Sequence, residues 1–379
     1  MDATVSKVRV TPLAIPLKEP YYWSKGVHSG VDCMLVEVET DQGITGVGEA
    51  SGEHSPESVR ACIESLAPLV EGRSVFDVQR FLNESYWRGL WGEIRRFAHS
   101  PLAGVEMALW DVIGKVCDQP LHRLMGGKVR ERINWFGFLQ GDDPEKLARD
   151  AAMWRDRGFT VIYMKVGREL RRDLACVEAV RKAIGDEPTL RVDANESWDV
   201  GTAIRHIKAL STYDLEFVEQ PVIFHDLEGL ARVREAVDVP IAADQAVFTD
   251  YDVLEVIRKG AADVITLGPH ETGGLLPLKN AAAVAASAGL PLCRHGVLGE
   301  SGITTCAMLQ VLATIPNLTD GNQVMHQLLE NDLVVEGLLE FQAGCIDVPD
   351  RPGLGVELDR DQVERHARLY REKGPFYGR

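Results

Sequence analysis

The sequence has little that would suit it to a membrane, an oxidising compartment or a polyanion. No apolar run approaches the roughly 18 residues needed to cross a bilayer. The opening residues, MDATVSKVRVTPLAI, lack a basic segment, an apolar stretch and a cleavage site in succession, so a cytoplasmic protein without a secretory signal is expected. The seven cysteines (Cys33, Cys62, Cys117, Cys176, Cys293, Cys306 and Cys345) are odd in number and scattered, with no C-x-x-C pair. They are expected to be reduced, packed thiols. Positive charge is scarce: 41 Lys and Arg stand against 57 Asp and Glu, a formal net charge of −16. Nucleic acids and anionic membranes need clustered Lys and Arg, so neither is an expected partner. The phosphate loop G-x-x-x-x-G-K-[ST], the zinc motif H-E-x-x-H and the elbow G-x-S-x-G are all missing. An acidic protein that binds an anionic substrate must concentrate positive charge locally, and a metal ion can supply it.

At 379 residues, 45% of them hydrophobic, the chain can bury a core large enough for one big domain and a smaller one. Residues 1–128 mix strand and helix signals. Segments 8–17 and 33–39 read as strands, and the turn Asp41-Gln42-Gly43 marks a hairpin. SPESVRACIESLAPLV opens a helix at Ser55 and Pro56. Together these predict an α+β domain. The glycine-rich stretch 43–48 lies inside the hairpin, which makes it loop geometry rather than a nucleotide cradle. From Ile133 the pattern alternates. Eight short apolar runs appear (INWFGFL, TVIYMKV, LRVDA, LEFVEQ, PIAADQ, DVITLG, PLCRH and a weak one near Leu318), followed by amphipathic stretches. Their C-terminal ends, from Lys165 through Asp193, Glu219, Asp244 and Gly268 to His295, recur every 24–28 residues, the length of one βα unit. Eight units predict a (β/α)8 barrel over residues 129–345. The Pro- and Gly-rich tail, 346–379, is expected to return to the first domain.

Barrel enzymes carry their active groups at the C-terminal strand ends. Here those ends supply Lys165, Asp193, Glu219, Asp244 and His295. Three neighbouring strands end in carboxylates, and neighbouring strands lie about 4.8 Å apart, so the three can converge on one cation. Oxygen ligands without thiolate or imidazole suit Mg²⁺ better than Zn²⁺. Each acid alone can equally cap its following helix or pair with a base. Lys165, between Met164 and Val166, would have a lowered pKa beside a cation and could serve as a neutral base. A plain salt bridge to Asp193 or Glu219 is the alternative. His295, across the mouth, is either a second acid–base group or a packed histidine.

These residues carry a family resemblance. The chain resembles the enolase superfamily, and within it the mandelate racemase and muconate-lactonizing enzyme branch. The matching segments are ALWDVIGKVCDQPLHRLMGG before the barrel, MKVG, RVDAN, VEQP, AADQ and Gly273-Gly274 within it, and PDRPGLGVELD near the end. No single motif decides; their order and spacing do. The resemblance implies the modified enolase-type barrel under an N-terminal capping domain. It implies one Mg²⁺ per subunit held by Asp193, Glu219 and Asp244, an enolate or aci-carboxylate intermediate, a small carboxylate substrate and a homo-oligomer, dimer to octamer. Asn195 matches a polar position beside the metal. Tyr163, Gln245 and Arg294 adjoin the key positions, and Tyr22, Trp23, Lys25 and His54 lie on first-domain loops that would close over the mouth.

The departures from the family pattern matter as much. Many members have Lys-x-Lys on the second strand, where this chain has Tyr163-Met164-Lys165. The sixth strand ends in Gly268, where one branch places a lysine and the other an aspartate that orients the seventh-strand histidine. The fifth strand reads Ala243-Asp244-Gln245, as in the muconate-lactonizing pattern. With that aspartate missing, the His295 ring must be oriented by something else, a backbone carbonyl, Glu271 or Asp320; the gap favours elimination by one base, so acid-sugar dehydration is the leading expectation. In it, Lys165 takes the α-proton and His295 helps a hydroxyl leave. Racemisation or epimerisation, cycloisomerisation and a non-catalytic ligand-binding barrel are the alternatives.

Overall fold

The computed structural model describes residues 3–23, 26–52, 55–88 and 94–377. Lys25 and His54 lie outside the described residues, as does the side chain of Trp23. The chain opens with three strands, β1 (Val5–Trp23), β2 (Gly26–Thr40) and β3 (Thr45–Ser51), paired antiparallel in sequence order. The expected hairpin joins β2 to β3, with Gly43 at φ 76° and its N–H on Thr40 O. Among the described residues the α-helices α1 (Pro56–Leu66), α2 (Val78–Arg88), α3 (Arg95–Val116) and α4 (Leu121–Leu124) follow. The glycines of β3 serve helix packing. A Cβ at Gly46 would lie 2.3 Å from Ala108 O, and one at Gly48 2.2 Å from Gly104 O, so α3 crosses the sheet only because both side chains are absent.

β4 (Arg132–Asn134) and β5 (Gly137–Leu139) come next, and then the alternation begins. It runs α5 (Pro144–Asp156), β6 (Val161–Lys165), α6 (Leu170–Ile184), β7 (Thr189–Asp193), α7 (Val200–Leu210), β8 (Leu215–Glu219), α8 (Leu227–Ala236), β9 (Ile241–Ala243), α9 (Asp250–Lys259) and β10 (Val264–Leu267). α10 (Pro269–Thr272), α11 (Leu275–Ser287), β11 (Leu292–Arg294) and α12 (Gly302–Leu312) complete it. Asp143, Asp199, Asp226 and Thr249 start α5, α7, α8 and α9 by accepting backbone N–H groups, so the sequence marks each helix start.

Strands β5 to β11 form one parallel sheet in chain order. The weak run near Leu318 closes it: Leu318 bridges Leu292 and Asn322 bridges Trp135, both in the parallel sense. The result is a (β/α)8 barrel with a capping domain. The run INWFGFL, expected as one strand, is split. Residues 132–134 pair antiparallel with β12 (Cys345–Asp347), and only 137–139 join the barrel. The tail forms α13 (Arg360–Lys373) and packs on the capping sheet, with His366 Nδ1 3.1 Å from Ala14 O and Arg360 paired to Glu37 at 2.7 Å.

Two capping-domain carboxylates reach into the barrel. Glu106 of α3 accepts the N–H groups of Leu275 and Leu276 at 2.7 and 2.9 Å, at the start of α11. Glu49 of β3 accepts Ser301 N–H at 2.9 Å and the Thr304 hydroxyl at 2.6 Å, at the start of α12. Each therefore satisfies helix donors that have no partner within their own helix. Helix α12 is buried on every side, as its apolar sequence requires. All seven cysteines are free thiols. No helix of the described residues is long and apolar enough to cross a membrane.

Candidate active site

The barrel delivers the predicted row of groups. Lys165, Asp193 and Glu219 are the last residues of β6, β7 and β8; Asp244, Gly268 and His295 immediately follow β9, β10 and β11. Lys165 Nζ donates to Asp193 Oδ2 at 2.5 Å, and the Tyr163 hydroxyl donates to the same oxygen at 2.7 Å. Tyr163 thus occupies the place of the missing first lysine of the pattern and binds the same acid as Lys165. Asn195, held at φ 43°, turns its backbone N–H back to Asp193 Oδ1 at 2.7 Å.

Glu219 and Asp244 are fully desolvated, and each keeps one oxygen, Oε2 and Oδ2, without a hydrogen-bond donor among the described residues. Burial pushes the Glu219 carboxyl well up, and repulsion from Asp193 and Asp244 adds to it. Burial likewise lifts Asp244 to about 7, against the pull of His295. Crowded carboxylates with orphaned oxygens are a donor set suited to a hard dication, so Asp193, Glu219 and Asp244 fit Mg²⁺. They do not close into a ready three-ligand cage among the described residues. Asp193 is turned to Lys165 and Tyr163 instead.

Burial works against the Lys165 ammonium, but Asp193, Tyr21 and Glu219 outweigh it and push the pKa up; the fall was expected beside a bound cation, whose charge would oppose these groups. Opposite, His295 Nε2 stands 3.7 Å from Asp244 Oδ1, and Nδ1 meets Glu271 Oε1 at 2.9 Å. Burial alone would lower the imidazole pKa; Asp244 and Glu271 raise it to about 10. The acid missing at Gly268 is therefore supplied three residues later, from α10. Gly268 makes the room: a Cβ there would lie 2.6 Å from His295 O and 2.7 Å from Glu271 Oε2.

The other expected positions divide. Arg294 is buried under the site, pairing with Glu300 and donating to Gln323 O at 2.5 Å, so it faces the barrel interior rather than a substrate. Among the described residues Gln245 keeps a buried Oε1 without a donor, while its backbone carbonyl accepts from Arg96 at 3.0 Å. Tyr22 is 38% exposed and donates its N–H to Gln140 Oε1 at 3.1 Å, just past the end of β5, which sets that strand tip at the barrel mouth. Tyr21, of the same first-domain segment, packs on Phe138 with ring centroids 5.7 Å apart. Two residues of the site were not expected: Gln323 donates to Glu219 Oε1 at 3.3 Å, and Gln220 Oε1 accepts Asp244 N–H at 2.9 Å.

Residues 146–362 match the family profile described as enolase C-terminal domain-like. Residues 5–126 match the N-terminal domain of mandelate racemase and muconate lactonizing enzyme. The chain belongs to the enolase superfamily, in its mandelate racemase and muconate-lactonizing branch. Within that branch it is similar to an N-succinyl-L-Arg/Lys racemase of Bacillus cereus, 26% identical over 95% of this chain and 97% of the other. It is 32% identical to a chloromuconate cycloisomerase of Cupriavidus pinatubonensis, over 88% and 91% of the two chains. The solved dipeptide epimerase of Cytophaga hutchinsonii, complexed with Mg and D-Ala-L-Val, is 28% identical, with a TM-score of 0.88 over 96% and 98% of the chains. These relatives are isomerases. The expectation of acid-sugar dehydration finds no support among them, and the observation behind it, a histidine without an acid, does not hold: Glu271 is in place.

Proposed function

We propose that this enolase-superfamily isomerase carries out 1,1-proton transfer next to a carboxylate, as a racemase or epimerase of an N-acylated amino acid or dipeptide. The observation that carries this reading is the pair of nitrogen groups flanking the carboxylate row. Lys165 sits on Asp193 at one end, and His295, oriented by Glu271, stands beside Asp244 at the other. A racemase needs two competent groups on opposite faces of one carbon. With Nδ1 engaged by Glu271, Nε2 is the His295 atom left to exchange a proton with substrate. For one enantiomer, Lys165 takes the α-proton and His295 returns one from the other face; for its mirror image the roles reverse. Tyr163, fixed on Asp193, keeps that carboxylate and the lysine in register. Mg²⁺ bound by Asp193, Glu219 and Asp244 would offset the second negative charge that builds on the substrate carboxylate and weaken the field that holds Lys165 protonated.

The test is solvent deuterium exchange at the α-carbon, with Mg²⁺, on both enantiomers of N-succinylarginine and on alanyl-glutamate epimers. Wild type should exchange and interconvert them. His295→Asn and Lys165→Ala should each stop interconversion, with residual exchange confined to opposite enantiomers. Loss of the same enantiomer in both variants would sink the two-sided reading. A cycloisomerase is the second reading, favoured by the 32% identity to the chloromuconate enzyme. It needs Lys165 alone, and turnover of cis,cis-muconate unaffected by His295→Asn would establish it. Absence of exchange and turnover with every probe would support a ligand-binding barrel.

A further inference from the structure

The acid that orients His295 is itself held from the capping domain. Glu271 lies on α10, a single turn of four residues, too short to keep its shape without outside contacts. Its backbone carbonyl is met by His99 Nδ1 of α3, a fully buried ring. A carbonyl only accepts, so Nδ1 carries the proton and Nε2 is left as an acceptor. The Tyr86 hydroxyl of α2 donates to it at 2.6 Å, with its ring edge-on to the imidazole at 5.9 Å. The far side of His99 faces Phe248, 6.2 Å between centroids, on the loop that follows Asp244. His270, the neighbour of Glu271, is buried too. Its Nε2 lies 3.4 Å from the Thr304 hydroxyl, which donates to Glu49 of the capping domain at 2.6 Å. Two successive residues of α10 are thus tied to the capping domain, one directly and one through α12.

We infer that Tyr86 and His99 are positioning residues for proton transfer at His295. They fix the backbone of Glu271, and this sets the aim of its carboxylate on His295 Nδ1 across the space left open at Gly268. The inference rests on the reading of His295 as one of two proton-transfer groups. Among the described residues Lys165 bonds Asp193 and Tyr163 and no residue of α10, so the effect is expected to fall on the His295 side.

Three variants test it: Tyr86→Phe, His99→Leu and His99→Gln, the last keeping an amide donor for the Glu271 carbonyl. Two measurements are made on each: a crystal structure, and α-deuterium exchange on both enantiomers of N-succinylarginine with Mg²⁺. In His99→Leu the Glu271–His295 separation should open from 2.9 Å to beyond hydrogen-bonding range. Exchange of the enantiomer served by His295 should fall about 100-fold, the scale of a misplaced reacting group. Exchange of the enantiomer served by Lys165 should hold, His99→Gln should recover most of the loss, and Tyr86→Phe should fall in between. Equal slowing of both enantiomers, or an unchanged Glu271–His295 contact in His99→Leu, overturns the inference. If wild type exchanges neither enantiomer, the two-sided reading has failed, and the crystallographic separation alone decides whether His99 places Glu271.

Discussion

A single methyl group added at Gly268 should separate the two halves of the site. The backbone there is extended, φ −132° and ψ 178°, so alanine meets no conformational barrier. Taken alone, the change would stabilise the fold by about 0.4–1 kcal/mol through the unfolded chain. Against this stands the new Cβ, 2.6 Å from His295 O and 2.7 Å from Glu271 Oε2. One neighbour is backbone and cannot rotate away; the other is a carboxylate that can swing, but only off His295. Overpacking of this kind costs about 1–3 kcal/mol, leaving Gly268→Ala less stable than wild type by up to about 2.6 kcal/mol. Urea unfolding followed by circular dichroism measures the stability, and α-deuterium exchange on each enantiomer measures the chemistry. Exchange on the His295 side should fall while the Lys165 side is kept. A variant as stable as wild type with both exchanges intact would refute the idea that the glycine is there to make room.

Two other changes probe different parts of the molecule. Glu219→Gln should weaken Mg²⁺ binding about tenfold or more, since even loss of an outer-layer partner costs that much; calorimetric titration that finds the same affinity in the variant would remove Glu219 from the ligand set. Burial lifts the Glu106 carboxyl to about 7, with the Leu276 and Leu275 N–H groups opposing. A raised folded-state pKa contributes stability below the ordinary carboxylate range, near 4.5, and loses it as pH rises through about 7. Glu106→Gln should therefore destabilise more at pH 5 than at pH 8, and urea unfolding at the two values checks the sign.

Much of the barrel and most of the candidate site could be read from the sequence, because both rest on local periodicity. Each βα unit announces itself by an apolar run ending in a polar residue, and Lys165, Asp193, Glu219, Asp244 and His295 inherit their convergence from that spacing. What spacing hides is anything one turn away from a strand end. Glu271 could be named beside Asp320 and a backbone carbonyl as the group that orients His295, but only the closeness of β10 and β11 selects it. The eighth strand was faint because side chains do part of its pairing, as where Arg294 N–H donates to Asn322 Oδ1 at 2.9 Å. INWFGFL reads as one strand because its apolar residues run unbroken across the point where its partner changes from β12 to β6. The direction of the Lys165 shift depends on how Asp193 divides its oxygens among its neighbours, which no pattern of residues reveals.

The carboxylates of Glu49 and Glu106 have a consequence for how this gene can be cut and recombined. A borrowed domain that covered α11 and α12 without these carboxylates would leave the N–H groups of Leu275, Leu276 and Ser301 buried and deprived of their acceptors. Unsatisfied donors in a buried seam cost about 1–3 kcal/mol each. Chimaeras that borrow a relative's capping domain to alter specificity must therefore bring carboxylates to these two positions. Without them, the transplanted half would change the stability of the barrel before it changed the choice of substrate.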